Sequence, residues 1–181
     1  SLRSRGKTTS VNNDIFQGFF DMTKVTVVEI QGCMASSAAI THDVMATANQ
    51  ISGAAKRALP FSVTTLRCGP RRSSDRLRGA ELVIVPGLGT ASAEALDAKL
   101  ESTVCRRVRD MLVDAFDGGA MLAAPCASTF LLAEAGLMDS RRATTTWWLA
   151  PLFRQRYPKV ELVADRMVVA DWPIATGGAA M

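Results

Sequence analysis

Residues 118–136, GGAMLAAPCASTFLLAEAG, have the pattern of a buried strand, a corner and a helix in direct succession. The apolar run MLAA follows a Gly-Gly break, as expected of a central strand that is covered on both faces of a parallel sheet. Ser128 or Thr129 is suited to cap the helix that follows, and Gly136 is suited to end it. The sequence therefore predicts that Cys126 lies at the corner between strand and helix.

Cys126 has two interpretations at this position. A side chain at such a corner projects from the carboxyl end of the sheet, where helical N–H groups point at it, as in a nucleophile elbow. A helix N-terminus favours thiolate over thiol, so a partly exposed Cys126 is expected to react ahead of Cys33, Cys68 and Cys105. The alternative is a small buried hydrophobic residue, which is the usual place of a free cysteine. The local pattern leaves both open.

Strands and helices alternate along the rest of the chain. Strands that alternate with helices indicate an α/β fold, in which a mostly parallel sheet carries helices on both faces. The predicted strands cover 25–30, 61–68, 81–85, 121–124, 160–163 and 167–169. The predicted helices cover 104–115, 128–136 and 147–157, together with a first helix that Ser36 or Ser37 caps and Pro60 stops.

Two of the predicted helices carry an apolar stripe at helical spacing. The stripe of the first helix is predicted to lie on the sheet and consists of Ile40, Val44, Thr47, Ile51, Ala55 and Ala58. The stripe of the helix 104–115 consists of Val104, Val108, Met111, Leu112 and Ala115, whereas Arg106, Arg107, Arg109 and Asp110 face solvent.

The composition suits one globular domain. The 181 residues are 48% hydrophobic, which is enough for a full core. We expect a flexible N-terminal arm over 1–22 and the folded domain over 23–181. No secretory signal is expected, because the arm lacks a continuous apolar core. The longest uncharged run, 118–133, contains Pro125 and is too short for a membrane span, so a cytoplasmic protein without membrane contact is expected.

Cysteine spacing and charge argue against two other classes of protein. The four cysteines are scattered and the chain has one histidine, so neither a disulfide framework nor a metal site is expected. The net charge of +4 raises the possibility of DNA binding. The arginines, however, are divided among 71–78, 106–109 and 141–142, which is typical of solvated faces rather than of a DNA-reading surface.

The predicted loops place a ligand site beside Cys126. In parallel sheets, ligands bind outside the carboxyl ends of the strands, so the loops after the first, third and fourth predicted strands are expected to converge. The N–H groups of Gly87 and Ala127 are then expected to face an oxygen beside Cys126. The run Gly87-Leu88-Gly89 lacks the third glycine of a dinucleotide fingerprint and indicates a tight turn, so no cofactor is expected.

Four segments together resemble one superfamily. They are Pro86-Gly87 after a strand, the corner and helix 124–139, the run RRATTTWW at 141–148, and Thr176-Gly-Gly-Ala-Ala180. From about Val25 to the last residue, the chain resembles the ThiJ/PfpI branch of the class I glutamine amidotransferase-like superfamily. More narrowly, it resembles the sensor half of AraC-type transcriptional regulators. The resemblance implies a flavodoxin-like three-layer sandwich, and its most specific part is Cys126 to Trp147.

The resemblance also implies three catalytic positions, two of which this chain has lost. Cys126 stands at the nucleophile position, but Thr146 stands where catalytic relatives have a histidine and Ser37 where they have an acid. Neither hydroxyl is a proton acceptor near neutral pH, so no catalysis of the family kind is expected. His42 could in principle replace the base, but a solvated histidine inside the first helix is the more typical interpretation.

A pocket with polar, uncharged walls remains, which suits a small metabolite that is bound without turnover. Thr144, Thr145 and Thr146 have an alternative role, since one of them is expected to cap the helix that starts at Trp147. The predicted ligand-binding residues are Ser37, Gly87, Leu88, Cys126, Ala127, Thr144, Thr145, Thr146 and Trp147.

The function that the resemblance implies is effector sensing and dimerisation in an AraC-type regulator. The DNA-binding helix-turn-helix motifs of such a regulator are not in these residues, and 177–181 resemble the start of a last helix that is cut short. The expected partners are a small-molecule effector and a second copy of the chain, with Phe19 and Phe20 of the arm as apolar contact candidates. The alternatives are a cysteine-dependent hydrolase or hydratase, and a sensor in which oxidation of Cys126 is the signal.

Overall fold

The computed structural model describes residues 22–70 and 77–178, which form a three-layer α/β sandwich. The six strands of the main sheet are β1 (Thr23–Ile30), β2 (Phe61–Cys68), β3 (Leu82–Ile84), β4 (Met121–Pro125), β7 (Val168–Asp171) and β8 (Ile174–Gly177). A separate two-stranded sheet pairs β5 (Arg142–Ala143) with β6 (Glu161–Leu162). The helices are α1 (Ala35–Ala54), α2 (Ala93–Leu100), α3 (Thr103–Asp117), α4 (Ser128–Glu134) and α5 (Ala150–Arg156), with a short 3₁₀ helix at Trp147–Leu149.

The main sheet has the order β2-β1-β3-β4-β8-β7 and is parallel except for β7. The β-branched run of β1 pairs with β2 over its whole length, from Thr23 opposite Phe61 to Ile30 opposite Cys68. Since the five parallel strands run in one direction, their carboxyl ends meet at one edge. The predicted α/β fold with a mostly parallel sheet is confirmed, and this edge carries both regions discussed below.

The larger core lies on the side of the sheet that α3 and α4 cover. The predicted stripe of α3 is buried there, with Val108 and Leu112 fully buried. Phe130 of α4 meets Phe153 of α5 edge to face, with 4.9 Å between the ring centroids, and both rings contact Tyr157. Burial of such large apolar side chains is the main source of folding free energy on this side.

The predicted orientation of α1 is wrong. Three residues of its stripe are exposed, with Ile40 at 64%, Val44 at 58% and Ile51 at 66%. The helix instead packs on the sheet through a different set of residues, among them Ala38, Met45 and Asn49. The Asn49 amide donates to the carbonyl of Phe61 (2.8 Å) and accepts from its N–H (3.0 Å), so hydrogen bonds with the sheet edge set the orientation of the helix.

Other differences concern short elements. The sequence pattern did not predict α2, β5 or β8. The helix start that was predicted at Gly177 is wrong, because Gly177 is the last residue of β8. A strand of four residues with one alternation is too short for its period to show, and β8 is held in the sheet by four residue pairs with β4 and four with β7. Residues 179–181 and most of the predicted arm, including Phe19 and Phe20, lie outside the described residues. Within the described residues, no helix has the length and apolarity that a membrane crossing requires.

Candidate functional site

Cys126 occupies the corner between β4 and α4, as the sequence pattern predicts. Its φ of 57° lies in the left-handed region, which costs a non-glycine residue roughly 1–2 kcal/mol. Its N–H donates to the carbonyl of Gly177 (2.7 Å), so the end of β8 holds the corner in place. The side chain is half-buried. Strain of this kind is found at nucleophile elbows, and the chain retains the backbone geometry of one.

The hydroxyls after the corner have a different role from the predicted one. The residue before α4 is Ala127, which has no side-chain cap, so neither Ser128 nor Thr129 caps the helix. Ser128 is fully buried and its hydroxyl donates to the carbonyl of Pro86 (2.5 Å). The Thr129 hydroxyl, also fully buried, lies 3.2 Å from the carbonyl of Ala124 and 3.1 Å from that of Thr144. Both hydroxyls fasten the corner to adjacent loops.

The three predicted pocket threonines are buried as well. The Thr144 hydroxyl donates to the carbonyl of Arg166 (2.9 Å), and its N–H donates to the Thr176 hydroxyl (2.8 Å). The Thr145 hydroxyl donates to the carbonyl of Cys126 (2.9 Å). Thr146 precedes the 3₁₀ helix without a side-chain cap, and α5 has none either, so the expected capping role is wrong. The hydroxyls of Thr144 and Thr145 therefore donate to backbone carbonyls rather than to a ligand.

The predicted oxyanion donor is also engaged. The Gly87 N–H donates to the Ser37 hydroxyl (3.0 Å), and the Gly87 carbonyl accepts from the N–H of Met34 (2.7 Å). The Gly87 N–H is thus bound to Ser37 and does not face an oxygen beside Cys126. Ser37 joins the loop after β3 to the first turn of α1.

The remaining predicted site residues are divided between core and solvent. Leu88 and Ala127 are buried in the larger core, whereas Trp147 is 71% exposed and forms no pocket wall. Sequence reasoning brought the right segments together, since Ser37 meets Gly87 and Thr145 meets Cys126. We call Cys126 and the hydroxyl residues near it the corner region, which consists of Cys126, Ser128, Thr129, Thr144, Thr145 and Thr146.

His42 is not the solvated helical histidine that was expected. Its Nε2 lies 3.0 Å from Oε1 of Glu29, and the other oxygen of that carboxylate lies 3.2 Å from Nε of Arg67. The Thr65 hydroxyl is 3.5 Å from the same imidazole nitrogen. Only a third of the His42 side chain and 18% of the Glu29 side chain are exposed. In the sequence, Glu29 lies near the end of a predicted strand and His42 on the helix that follows. The pattern alone did not predict that the two side chains meet.

This charged cluster borders a cleft of about 1010 Å³ at the carboxyl ends of β1 and β2, beside the first two turns of α1. We call it the β1–β2 cleft, with Glu29, Cys33, Ala39, His42, Arg67 and Gly69 among its walls. No residue of the corner region lines it. Burial, and then the Glu29 carboxylate, raise the pKa of the half-buried Cys33 thiol.

Two cations bind the rim of the β1–β2 cleft. The Lys99 ammonium donates to the carbonyls of Gly32 (2.6 Å) and Leu88, and burial lowers the pKa of Lys99. The Arg107 guanidinium donates to the carbonyl of Gly69 (2.6 Å). In 22–70 and 77–178, no three His, Cys, Asp or Glu side chains are grouped so that they could hold a metal ion.

Comparison with solved structures identifies the fold. The model is similar to an AraC family transcriptional regulator from Pseudomonas putida, with a TM-score of 0.67 and 18% identity over 86% of this chain and 83% of that one. It is also similar to DJ-1beta from Drosophila melanogaster, with a TM-score of 0.64 and 20% identity over 88% and 83%. A DJ-1 superfamily protein from Salmonella typhimurium gives a TM-score of 0.64 and 21% identity over 87% and 82%.

These similarities confirm the ThiJ/PfpI resemblance at the level of fold. The chain has the flavodoxin-like fold of DJ-1, ThiJ and PfpI proteins, a fold that AraC family regulators share. No protein-family model and no curated protein matches the chain.

Proposed function

We propose that this domain senses a small-molecule effector in a cytoplasmic AraC-type transcriptional regulator and binds that effector without turnover. The observation that carries the proposal is a corner cysteine without a base. Thr146 stands at the base position and is buried, and the chain's one histidine is bonded to Glu29 at the β1–β2 cleft. A thiol that attacks a carbonyl needs a proton acceptor within hydrogen-bond reach. The fold shared with a Pseudomonas putida regulator supports the same reading.

Dimerisation is part of the proposed function, and α1 offers the surface for it. Ile40, Val44 and Ile51 form an exposed apolar stripe, which we call the α1 stripe. Contiguous apolar surface of this kind marks sites of protein contact, because its burial releases water. We propose that a second copy of the chain covers the α1 stripe, in place of the contact through Phe19 and Phe20 that the sequence suggested.

DNA binding is assigned to helix-turn-helix motifs outside these residues. Several arginines of the domain are paired with carboxylates: Arg109 and Arg156 both bind Glu134 (3.1 and 2.8 Å), and Arg142 is 3.6 Å from Glu161. Within residues 22–70 and 77–178, these paired arginines do not make the continuous basic surface that phosphate binding requires.

A second candidate function is a cysteine-dependent hydrolase or hydratase, or a sensor that uses Cys126 oxidation. The left-handed backbone at Cys126 favours it, because strain of this kind is typical of a reactive nucleophile. The enzyme differs from the proposed sensor of a metabolite in what happens to the bound molecule, so one experiment separates these two.

The test is a thermal-shift screen of small metabolites, followed by mass spectrometry of each hit after incubation with the protein. A ligand that binds only the folded state raises the midpoint of unfolding by mass action. We expect hits that are recovered unchanged, and we expect the same midpoint shifts in Cys126→Ala. A hit that is converted by the wild-type protein and not by Cys126→Ala would establish the enzyme instead.

A further inference from the structure

We propose that the β1–β2 cleft binds a small carboxylate with an apolar body, and that the carboxylate is held by Arg67. This inference rests on the proposed function, since it names the place and the chemical class of the effector. It moves the ligand away from the corner region, where the sequence placed it, to a part of the sheet edge that no resemblance pointed to.

The β1–β2 cleft has the size of a ligand site. Its volume of about 1010 Å³ is at the upper end of the range of roughly 300–1000 Å³ that small-molecule sites occupy. The corner region, by contrast, has its hydroxyls of Ser128, Thr129 and Thr145 donated to backbone carbonyls. A ligand there would find these hydroxyl protons already donated, whereas the β1–β2 cleft is open.

The charges around the β1–β2 cleft favour an anion. Arg67 uses its Nε to bind Glu29, and within residues 22–70 and 77–178 its two terminal nitrogens make no hydrogen bond. The Glu29 carboxylate is engaged by both Arg67 and His42, so it is not free to attract a cation. Lys99 and Arg107 add two positive charges at the rim. A guanidinium whose terminal N–H₂ groups bond to none of the described residues matches the two oxygens of a carboxylate.

The rest of the wall favours an apolar body. Between the charged cluster and the rim, the β1–β2 cleft is lined by small uncharged side chains, including Ile30, Ala35, Ala38, Ala39 and Pro70. The same wall carries the Gln31 amide and the Cys33 thiol, so it offers mainly burial of apolar area together with a few side-chain hydrogen bonds. Together, the Arg67 guanidinium and a mostly apolar wall favour a monocarboxylate with an aromatic or aliphatic body over an amine.

The experiment uses three fluorinated probes of similar size and different charge: 4-fluorobenzoate, 4-fluorobenzamide and 4-fluorobenzylamine. Fluorine NMR titrations with the wild-type chain measure the affinity of each. We expect 4-fluorobenzoate to bind about two- to fivefold more tightly than the amide, and the amine not to bind, because only the carboxylate can pair with Arg67, whose side chain is 81% exposed.

Variants then locate the site. Arg67→Gln is expected to weaken binding of 4-fluorobenzoate about two- to fivefold, and Ala39→Phe is expected to narrow the cleft and weaken binding of all three probes. The matched control is Arg154→Gln, since Arg154 is exposed on α5 and the substitution removes the same charge at a distance. Arg154→Gln and Cys126→Ala are expected to leave the affinity unchanged. Thermal unfolding of each variant checks that it is folded.

Two results would overturn the inference. One is equal or tighter binding of the amide or the amine, or no binding of any probe, which would remove the carboxylate class. The other is binding that Cys126→Ala abolishes and that Arg67→Gln and Ala39→Phe leave intact, which would place the ligand at the corner region. The proposed function fails separately, when no small metabolite of any class stabilises the chain or when a hit is converted by Cys126.

Discussion

The corner region and the β1–β2 cleft lie on the same edge of one sheet and use their polar groups in opposite ways. In the corner region, buried hydroxyls donate to backbone carbonyls and hold loops together. In the β1–β2 cleft, His42 and Arg67 are each bonded to Glu29 beside an open space of about 1010 Å³. A polar residue near a nucleophile position is therefore not by itself evidence of a ligand contact, because the backbone competes for its hydrogen bonds.

The first test of this comparison concerns the close approach of Gly89, in the loop after β3, to Gly32, in the loop after β1. Gly89 has a φ of 70°, and a Cβ added there would lie 2.6 Å from the Gly32 carbonyl. We expect Gly89→Ala to lower the free energy of unfolding by about 3 kcal/mol, from the left-handed backbone and the forced separation of the loops. Urea denaturation measures it.

The matched control for this substitution is Gly79→Ala. Gly79 has a φ of 76° and no atom within 4 Å of an added Cβ, so only the backbone cost of about 1 kcal/mol is expected. Equal losses in the two variants would mean that the close approach of Gly89 to the Gly32 loop is not a constraint.

The bound hydroxyls of the corner region provide the second test. Thr129→Val keeps the shape of the side chain but removes the donor to two buried carbonyls. We expect a loss of about 1–3 kcal/mol in the free energy of unfolding, measured in urea. Thr64→Val on the exposed side of β2 is the control, with a change within about 0.5 kcal/mol. An unchanged stability of Thr129→Val would show that the hydroxyls are available to a ligand.

Cysteine labelling compares the two regions directly. The pKa of Cys33 is raised by burial and by Glu29, so at neutral pH less of it is thiolate and its reaction with iodoacetamide is slower than that of an ordinary thiol. Its labelling rate should rise with pH along a curve that is shifted to higher pH. We expect Cys126 to be labelled ahead of Cys33, as peptide mass spectrometry over a pH series would measure. Faster labelling of Cys33 than of Cys126 at neutral pH would contradict the expected order of reactivity.

The smallest effect on stability is expected from the α1 stripe. Val44→Glu places a charge on an exposed apolar surface, so it should change the free energy of unfolding by less than about 0.5 kcal/mol and yet shift a dimer to monomer. Sedimentation velocity measures the oligomeric state. Gln50→Glu adds the same charge to an exposed position of α1 and is expected to leave the dimer intact. A dimer that persists in Val44→Glu would exclude the stripe as the contact.

The sequence was sufficient for the fold and for the position of Cys126, but not for the use of the polar residues around it. The β-branched runs and the Gly-Gly break specify strands locally, so β1, β2 and β4 followed from pattern. The hydroxyls of Ser128 and Thr145 bind carbonyls 42 and 19 residues away, a choice that depends on tertiary contacts. The orientation of α1 failed for the same reason, because the hydrogen bonds of Asn49 with Phe61 outweigh the more apolar stripe.

The most direct test of carboxylate binding in the β1–β2 cleft is a crystal soaked with 4-bromobenzoate and measured at the bromine absorption edge. The anomalous signal locates the bromine without reference to any expected position. We expect a peak in the β1–β2 cleft, with the carboxylate within hydrogen-bond distance of the terminal nitrogens of Arg67. A peak beside Cys126, among Thr144, Thr145 and Thr146, would contradict it and return the ligand site to the corner region.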